Sequence, residues 1–251
     1  MLKTFTSATM RRGEPLREWN GLQAMSGTGR SPKLLALEIT PTQATISMEL
    51  ISPVTTFLTS PQVDQNLDAL LETVNLMFTA RPQLCVDRIE HPTDLVRNVL
   101  AWIPPDLSQQ PDVVVQALAA ATAWLDKTNF LRLLNNAQEV FTNGDGNPDN
   151  YLLFGTTVYV VDFENSGRSL LEFELAELSE LSEHINLLPH RPNQSLLAAL
   201  GQLGNREWFF DCRRLMSIWW LQQMLPSGRA YRRNPTSWTI QQALYLQELL
   251  A

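Results

Sequence analysis

The chain has 251 residues, enough for one large domain or two small ones with a sizeable buried core, and its 44% hydrophobic and 18% charged residues are those of a globular protein. With 26 acidic against 19 basic side chains the formal charge is −7, which argues against a nucleic-acid surface and favours a neutral or cationic small partner. Only two cysteines, Cys85 and Cys212, are present, far apart and outside any C-x-x-C pattern, so neither a disulfide framework nor a zinc site is suggested, and reduced thiols in a cytoplasmic protein are expected.

The N-terminal "MLKTFTSATMRRGEP" lacks an apolar stretch of signal-peptide length, and Met1 to Phe5 reads as a strand. "EPLREWNGLQAM" then places Leu16, Trp19 and Leu22 at helical spacing, with Pro15 where a first turn tolerates it, so a short helix is expected to end near Gly27. Two strands follow, about Lys33 to Glu38 and Ala44 to Leu50, joined by the turn residues Thr40, Pro41 and Thr42. From Pro61, the residues Val63, Leu67, Leu70, Leu71, Val74, Met77 and Phe78 keep the 3.6 period over four turns and predict one amphipathic helix. A second helix is expected from about Asp112 to Leu134. Its apolar run, Val113 to Leu125, is broken by Gln116 and is shorter than a bilayer requires, so no membrane span is predicted.

Beyond it, "NYLLFGTTVYVVDF" reads as a hairpin, Tyr151 to Phe154 and Val158 to Val161 around Gly155, Thr156 and Thr157, standing alone among helices. The segments "SLLEFELAELSELSEHINLL", "QSLLAALGQL", "REWFFDCRRLMSIWWLQQML" and "SWTIQQALYLQEL" are read as further helices. In the first of these, Glu172, Glu174, Glu177, Glu180 and Glu183 read as a solvated face. Trp208, Trp219 and Trp220 read as core. The outline is a small α+β portion, residues 1–51, followed by a mostly helical portion, residues 52–251.

The hairpin holds two acidic loops together. "NGDGNPDN", Asn143 to Asn150, has five Asp or Asn residues in eight positions, and "VVDFENSG" carries Asp162 and Glu164 at the end of the second strand. A calcium loop of the EF-hand type needs Gly at its sixth position and Glu at its twelfth. Counted from Asn143 these are Pro148 and Phe154, and counted from Asp145 they are Asn150 and Thr156, so both registers fail. Phosphoryl transfer needs other things: a group that orients or deprotonates a hydroxyl, and oxygen ligands that hold magnesium against nucleotide phosphates. Asp145, Asn150 and Asp162 occur in the order such a site uses.

At these residues the sequence resembles the aminoglycoside phosphotransferase and choline kinase family, whose loop reads roughly H-G-D-x-x-x-x-N and whose following strand ends in I/V-D-W/F-E. The resemblance implies a protein-kinase-like α+β fold, with a reduced N-terminal β lobe and a helical C-terminal lobe. It implies Asp145 as catalytic base, Asn150 and Asp162 as magnesium ligands, and Glu164 as a neighbour of the metal loop. Lys3 would bind phosphate, Glu18 on "REWNGLQAM" would be its partner, and Met48, Glu49, Leu50 and Ile51 would offer backbone groups to the nucleotide base. The implied cofactors are magnesium and ATP or GTP, and the implied acceptor is a hydroxyl of a small molecule. The family has His where this chain has Asn143, and either can brace the loop by hydrogen bonds. In the family two strands and a phosphate-covering loop precede the Lys strand, whereas here the chain begins at "MLKTF". That leaves a sheet of about three strands with an uncovered edge at Met1 to Phe5, through which self-association is expected. The reading from another class is a binding or regulatory domain that has lost transfer activity with those front strands.

Overall fold

The computed structural model describes residues 1–51, 60–84, 86–130, 134–135, 137–181, 193–226, 228 and 236–251. Cys85 and Glu183 lie outside the described residues. Two compact units emerge, Met1–His91 with Gln138–Glu174, and Pro92–Ala137 with Leu175–Ala251.

The first unit begins with a three-stranded antiparallel sheet of order β1-β3-β2, made of β1 (Leu2–Thr6), β2 (Leu34–Ile39) and β3 (Gln43–Met48). Alternation in β3 buries Ala44, Ile46 and Met48, as a half-buried strand requires. Thr40 closes the β2–β3 turn, its N–H and hydroxyl both donating to the Gln43 carbonyl. Between β1 and β2 lie α1 (Ser7–Arg11), which sequence reading did not expect, and α2 (Glu14–Ala24). Gly13, at φ 75°, makes the turn between them, a conformation open to glycine because it has no β-carbon.

The predicted helix from Pro61 is two helices, α3 (Ser60–Gln65) and α4 (Leu67–Thr79). The interruption is Asn66, at φ −126° and ψ 23°, whose side-chain amide donates to the Gln62 carbonyl at 2.9 Å. Asn competes in this way with the helical backbone, and the apolar period cannot register it. Helix α4 buries Leu70, Val74 and Met77 and packs on β4 (Glu139–Thr142) and β6 (Thr157–Val160). The buried Thr73 hydroxyl donates to the Val158 carbonyl at 2.9 Å and fixes that packing.

The hairpin of β5 (Tyr151–Phe154) and β6 forms, but its loop is Gly155 and Thr156 alone, so Phe154 pairs with Thr157 and Tyr151 with Val160, and the second strand begins and ends one residue earlier than expected. It does not stand alone. β4 pairs antiparallel with β7 (Gly167–Leu170), so the segment read as helical from Ser169 starts as a strand, and α7 begins only at Leu171 (Leu171–Leu181). "EVFT" is a plausible strand by composition, but four residues give too few alternations to be recognised locally.

The second unit is helical: α5 (Pro92–Leu100), α6 (Asp112–Leu125), α8 (Gln194–Leu200), α9 (Arg206–Gln223) and α10 (Thr236–Leu250), together with most of α7. Helix α6 ends at Leu125, short of the expected Leu134, with the Asp126 and Lys127 N–H groups closing its last turn. The side chains of Asn193 and Asn205 cap α8 and α9 by accepting from the N–H groups of Leu196 and Trp208. Helix α10 packs on α6 and α9, and α9 also packs on α5. The aromatic buried in α9 is Phe209, while Trp208, Trp219 and Trp220 are half-buried.

The acidic face of α7 is not solvated. Glu172, Glu174 and Glu180 are all buried. Within the second unit Glu180 accepts from Arg213 Nε and from the Tyr245 hydroxyl, both at 2.7 Å, so a buried charge is paired and its acceptors are used. Burial and the adjacent Glu180 carboxylate drive the Tyr245 hydroxyl pKa far above its ordinary 10.0. Among the described residues no helix is long and apolar enough to cross a membrane.

Candidate active site

Every residue of the candidate site described here belongs to the first unit. Strand β1 presents Lys3 toward a group of acids. Its Nζ lies 3.1 Å from Glu18 Oε2, 2.5 Å from Asp162 Oδ1 and 3.1 Å from Glu164 Oε2. Burial by itself would lower the Lys3 pKa, but Glu18, Asp162 and Glu164 overcome it and raise the value far above the ordinary 10.5. Glu18 is buried and responds the other way. Its pKa rises chiefly because burial disfavours the carboxylate, although Lys3 and the Phe163 N–H oppose that rise.

Helix α2 carries Glu18 and is seated by contacts one turn away. A β-carbon on Gly21 would lie 2.4 Å from the side chain of Phe163, which is fully buried, so the glycine admits the ring next to Asp162. Arg17 Nη1 donates to the carbonyls of Asp87 and Ser166, and the Ser166 hydroxyl donates back to the Arg17 carbonyl. Asp162 is the one non-glycine with positive φ, 62°, among the described residues. Asp tolerates the left-handed region better than most residues, at some cost in strain, and such outliers concentrate at functional positions.

The loop between β4 and β5 is built from side chains that replace regular hydrogen bonding. Asp145 Oδ1 accepts from the Asn147 N–H, and Asn147 Oδ1 accepts from the Asp149 N–H, both at 3.0 Å. Asn143 and Asn150 each donate a side-chain N–H to the Asp145 carbonyl, at 2.9 and 3.2 Å. Asn143 thus braces the loop from a buried position. Asn150 closes the hairpin, its carbonyl accepting from the Val161 N–H at 2.9 Å, so Asn150 and Asp162 emerge from the same end of the β5–β6 ladder. Gly144, at φ 78°, is required twice over: a β-carbon there would also lie 2.3 Å from the Asn165 carbonyl oxygen. This close approach brings the Asp145 loop against the loop that follows Asp162.

Three features were not foreseen from the sequence. Arg88 and Glu174 form a buried pair, Nη1 to Oε1 at 2.6 Å. Arg88 Nη2 donates to the Gly144 carbonyl, and Glu174 Oε2 accepts from the Thr142 hydroxyl at 2.7 Å. Thr142 in turn accepts from the Gly144 N–H, so the whole network anchors the start of the loop. The second feature is Glu14, which is buried and ion-paired with Arg12 through Oε1, while Oε2 has no hydrogen-bond partner. Burial raises its pKa, against the attraction of Arg12. The third is Asp149, whose buried Oδ1 also lacks a partner, and whose pKa is raised by burial and by Asp145.

The nucleotide-base segment is less open than the resemblance implies. The Met48 N–H donates to the Met1 carbonyl and the Met48 carbonyl accepts from the Met1 amino group, while the Glu49 N–H donates to the Lys33 carbonyl. The backbone hydrogen bonds of Met48 and Glu49 therefore belong to the sheet. Leu50 and Ile51 follow the end of β3, with Leu50 exposed. Among the described residues no set of three or more His, Cys, Asp or Glu side chains is placed to hold a metal ion.

No protein-family profile matches the sequence, and no curated protein matches it. Solved structures do. A choline kinase from Streptococcus pneumoniae superimposes with a TM-score of 0.63 at 13% identity, over 99% of this chain and 84% of the other. An aminoglycoside phosphotransferase, APH(4)-Ia, gives a TM-score of 0.64 at 12% identity, over 100% and 86%. Amicoumacin kinase hAmiN, solved with AMP-PNP and Ca²⁺, gives 0.60 at 15% identity, over 99% and 80%. By its structure, this chain has the α+β, protein-kinase-like fold of the choline kinases and aminoglycoside phosphotransferases.

Proposed function

We propose that the chain is a phosphotransferase that uses ATP or GTP with magnesium and acts on a hydroxyl of a small molecule. The observation that carries this reading is the convergence of Glu18 and Asp162 on Lys3, which brings together a cation, its partner and a candidate metal ligand from three distant segments. Asn150 and Asp162 offer amide and carboxylate oxygens, the hard donors that suit magnesium, and one or two protein ligands suffice where phosphates and waters complete its six positions. Held by Asn150 and Asp162, magnesium would supply positive charge to offset that of the phosphates.

In this reading each residue has a separate task. Glu18 keeps the Lys3 ammonium in place while that ammonium turns from Asp162 toward a phosphate oxygen. Asp145, half-buried on a loop stiffened by Asn143, Asn147 and Asn150, orients the acceptor hydroxyl or takes its proton. The low-dielectric setting of Glu18 strengthens its hold on Lys3. The proposed protein is cytoplasmic, where nucleotides are plentiful, and needs neither nucleic acid nor membrane. Functionally, residues 1–51 would serve as the nucleotide-facing lobe and residues 52–251 would carry the loop and the acceptor side. Strand β1, at the edge of its sheet, would support self-association, which light scattering across a concentration series measures.

Thermal unfolding tests the central reading. Magnesium with ATP or GTP should raise the melting temperature while calcium alone does little; a ligand at 100 times its Kd adds about 2.7 kcal/mol. A second reading, a binding or regulatory domain without transfer activity, is favoured by the engagement of the Met48 and Glu49 backbone groups within the sheet. It predicts no nucleotide effect on unfolding and no turnover.

A further inference from the structure

Helix α2 buries two carboxylates on one face, Glu14 and Glu18, each 1% exposed. Four positions apart on a helix, they are neighbours, with about 5–6 Å between their β-carbons. Each holds a cation. Lys3 Nζ donates to Glu18 Oε2 at 3.1 Å, and Arg12 Nη2 pairs with Glu14 Oε1. Gly13, in the left-handed region, turns the chain between Arg12 and Glu14, so that residues two apart come to face each other. Glu14 also feels the charges of Glu164, Lys3 and Asp162, which sets the Arg12 pair beside the Lys3 site.

Packing does not account for this second pair. Glu14 Oε2 is buried without a hydrogen-bond partner, whereas such atoms are nearly always paired, and an apolar side chain of similar volume would avoid that cost. Its cation is mostly outside, the Arg12 side chain being 62% exposed. A guanidinium carries five N–H donors in a planar fork, and among the described residues only Glu14 engages this one. Lys3, by contrast, is shared by three carboxylates. A triphosphate drawn to that ammonium alone would meet more negative charge than positive.

We propose that Arg12 is a second cation for the phosphate groups of the nucleotide, set one helical turn from Lys3 by the buried Glu14. This rests on the phosphotransferase reading and deepens it. Glu18 positions Lys3, Glu14 positions Arg12, and the outer edge of the Arg12 guanidinium meets two phosphate oxygens, the bidentate pairing that its planar fork suits.

Calorimetric titration of the full chain with magnesium and ATP or GTP, and separately with the matching nucleoside, tests this. Arg12→Gln should weaken the triphosphate about tenfold, the loss of roughly one hydrogen bond to a charged group, and leave the nucleoside unchanged. Arg12→Lys, which keeps the charge without the fork, should recover part of that loss. Glu14→Gln removes the anchoring charge and should weaken the triphosphate by a smaller factor, again without effect on the nucleoside. Should Arg12→Gln fail to fold with Glu14 stranded, the double variant Arg12→Gln with Glu14→Gln leaves no charge unpaired and takes its place. A parent that binds neither triphosphate overturns the phosphotransferase reading and the role of Arg12 with it. If the parent binds, and Arg12→Gln either binds the triphosphate equally well or loses triphosphate and nucleoside alike, the role of Arg12 alone is overturned. Glu14→Gln indistinguishable from the parent would remove Glu14 as the positioning residue.

Discussion

Lys3 Nζ lies 2.5 Å from Asp162 Oδ1, across 159 positions of sequence. The contact joins the first strand of the sheet to the residue that follows the β5–β6 hairpin. Both partners are needed for nucleotide chemistry under the proposed function, yet here each is the other's counter-ion, so binding must exchange one partner for another.

Asp145 and Asp162 should separate in their effects. Under the proposed function Asp145→Asn should leave nucleotide binding nearly intact and cut turnover by roughly 10²- to 10⁴-fold, because it would remove an interaction made mainly in the transition state. Asp162→Asn should weaken magnesium-dependent nucleotide binding as well. Calorimetric titration of both variants with magnesium and nucleotide, and separately with calcium, measures this. Equal loss of calcium binding in the two variants, with no nucleotide heat in the parent, would point to a calcium loop instead.

Gly21→Ala should destabilise the protein by about 1–3 kcal/mol, since its β-carbon would fall 2.4 Å from the side chain of the fully buried Phe163. Phe163→Leu in the same background should recover part of the loss. Urea unfolding of the parent and the two variants gives the comparison, and a neutral Gly21→Ala would show that α2 moves freely over Phe163.

The buried Arg88–Glu174 pair should behave as a unit. Glu174→Ala leaves the Arg88 guanidinium without its 2.6 Å partner in a buried site and should cost about 3–5 kcal/mol. The paired replacement Arg88→Met with Glu174→Leu should cost clearly less, because no charge is left stranded. If the single and double variants unfold at the same denaturant concentration, the pair contributes through shape alone.

The pH dependence has a definite sign at Lys3. Its folded-state pKa is raised above the ordinary 10.5, so its stabilising contribution is complete below that value and is lost as pH rises beyond it. Glu14 and Glu18 are raised as well, which makes their contribution greatest below about 4.5 and smaller as they ionise. Unfolding free energy between pH 9 and 12 should therefore fall more steeply in the parent than in Lys3→Met. Parallel curves would mean that the ion pairs do not stabilise the fold.

The sequence alone determined the elements with strong local signals. The α4 face of Leu70, Val74 and Met77 follows from its period, the existence of the β5–β6 hairpin, though not its one-residue-shorter loop, from a turn between β-branched and aromatic runs, and the order Asp145, Asn150, Asp162 from the text itself. These are properties of neighbouring residues, and neighbours constrain one another through backbone geometry. Only the tertiary structure decided the rest. That Glu174 and Glu180 are interior ion-pair partners, on a helix whose spacing suggested a solvated face, depends on Arg88 and Arg213 being brought to them. The β4–β7 pairing, the break at Asn66 and the engagement of the Met48 backbone by Met1 likewise rest on contacts or side-chain competition that no periodic pattern encodes. A carboxylate carries the same letter whether it is hydrated or buried against a guanidinium, and its environment exists only once the chain has closed around it.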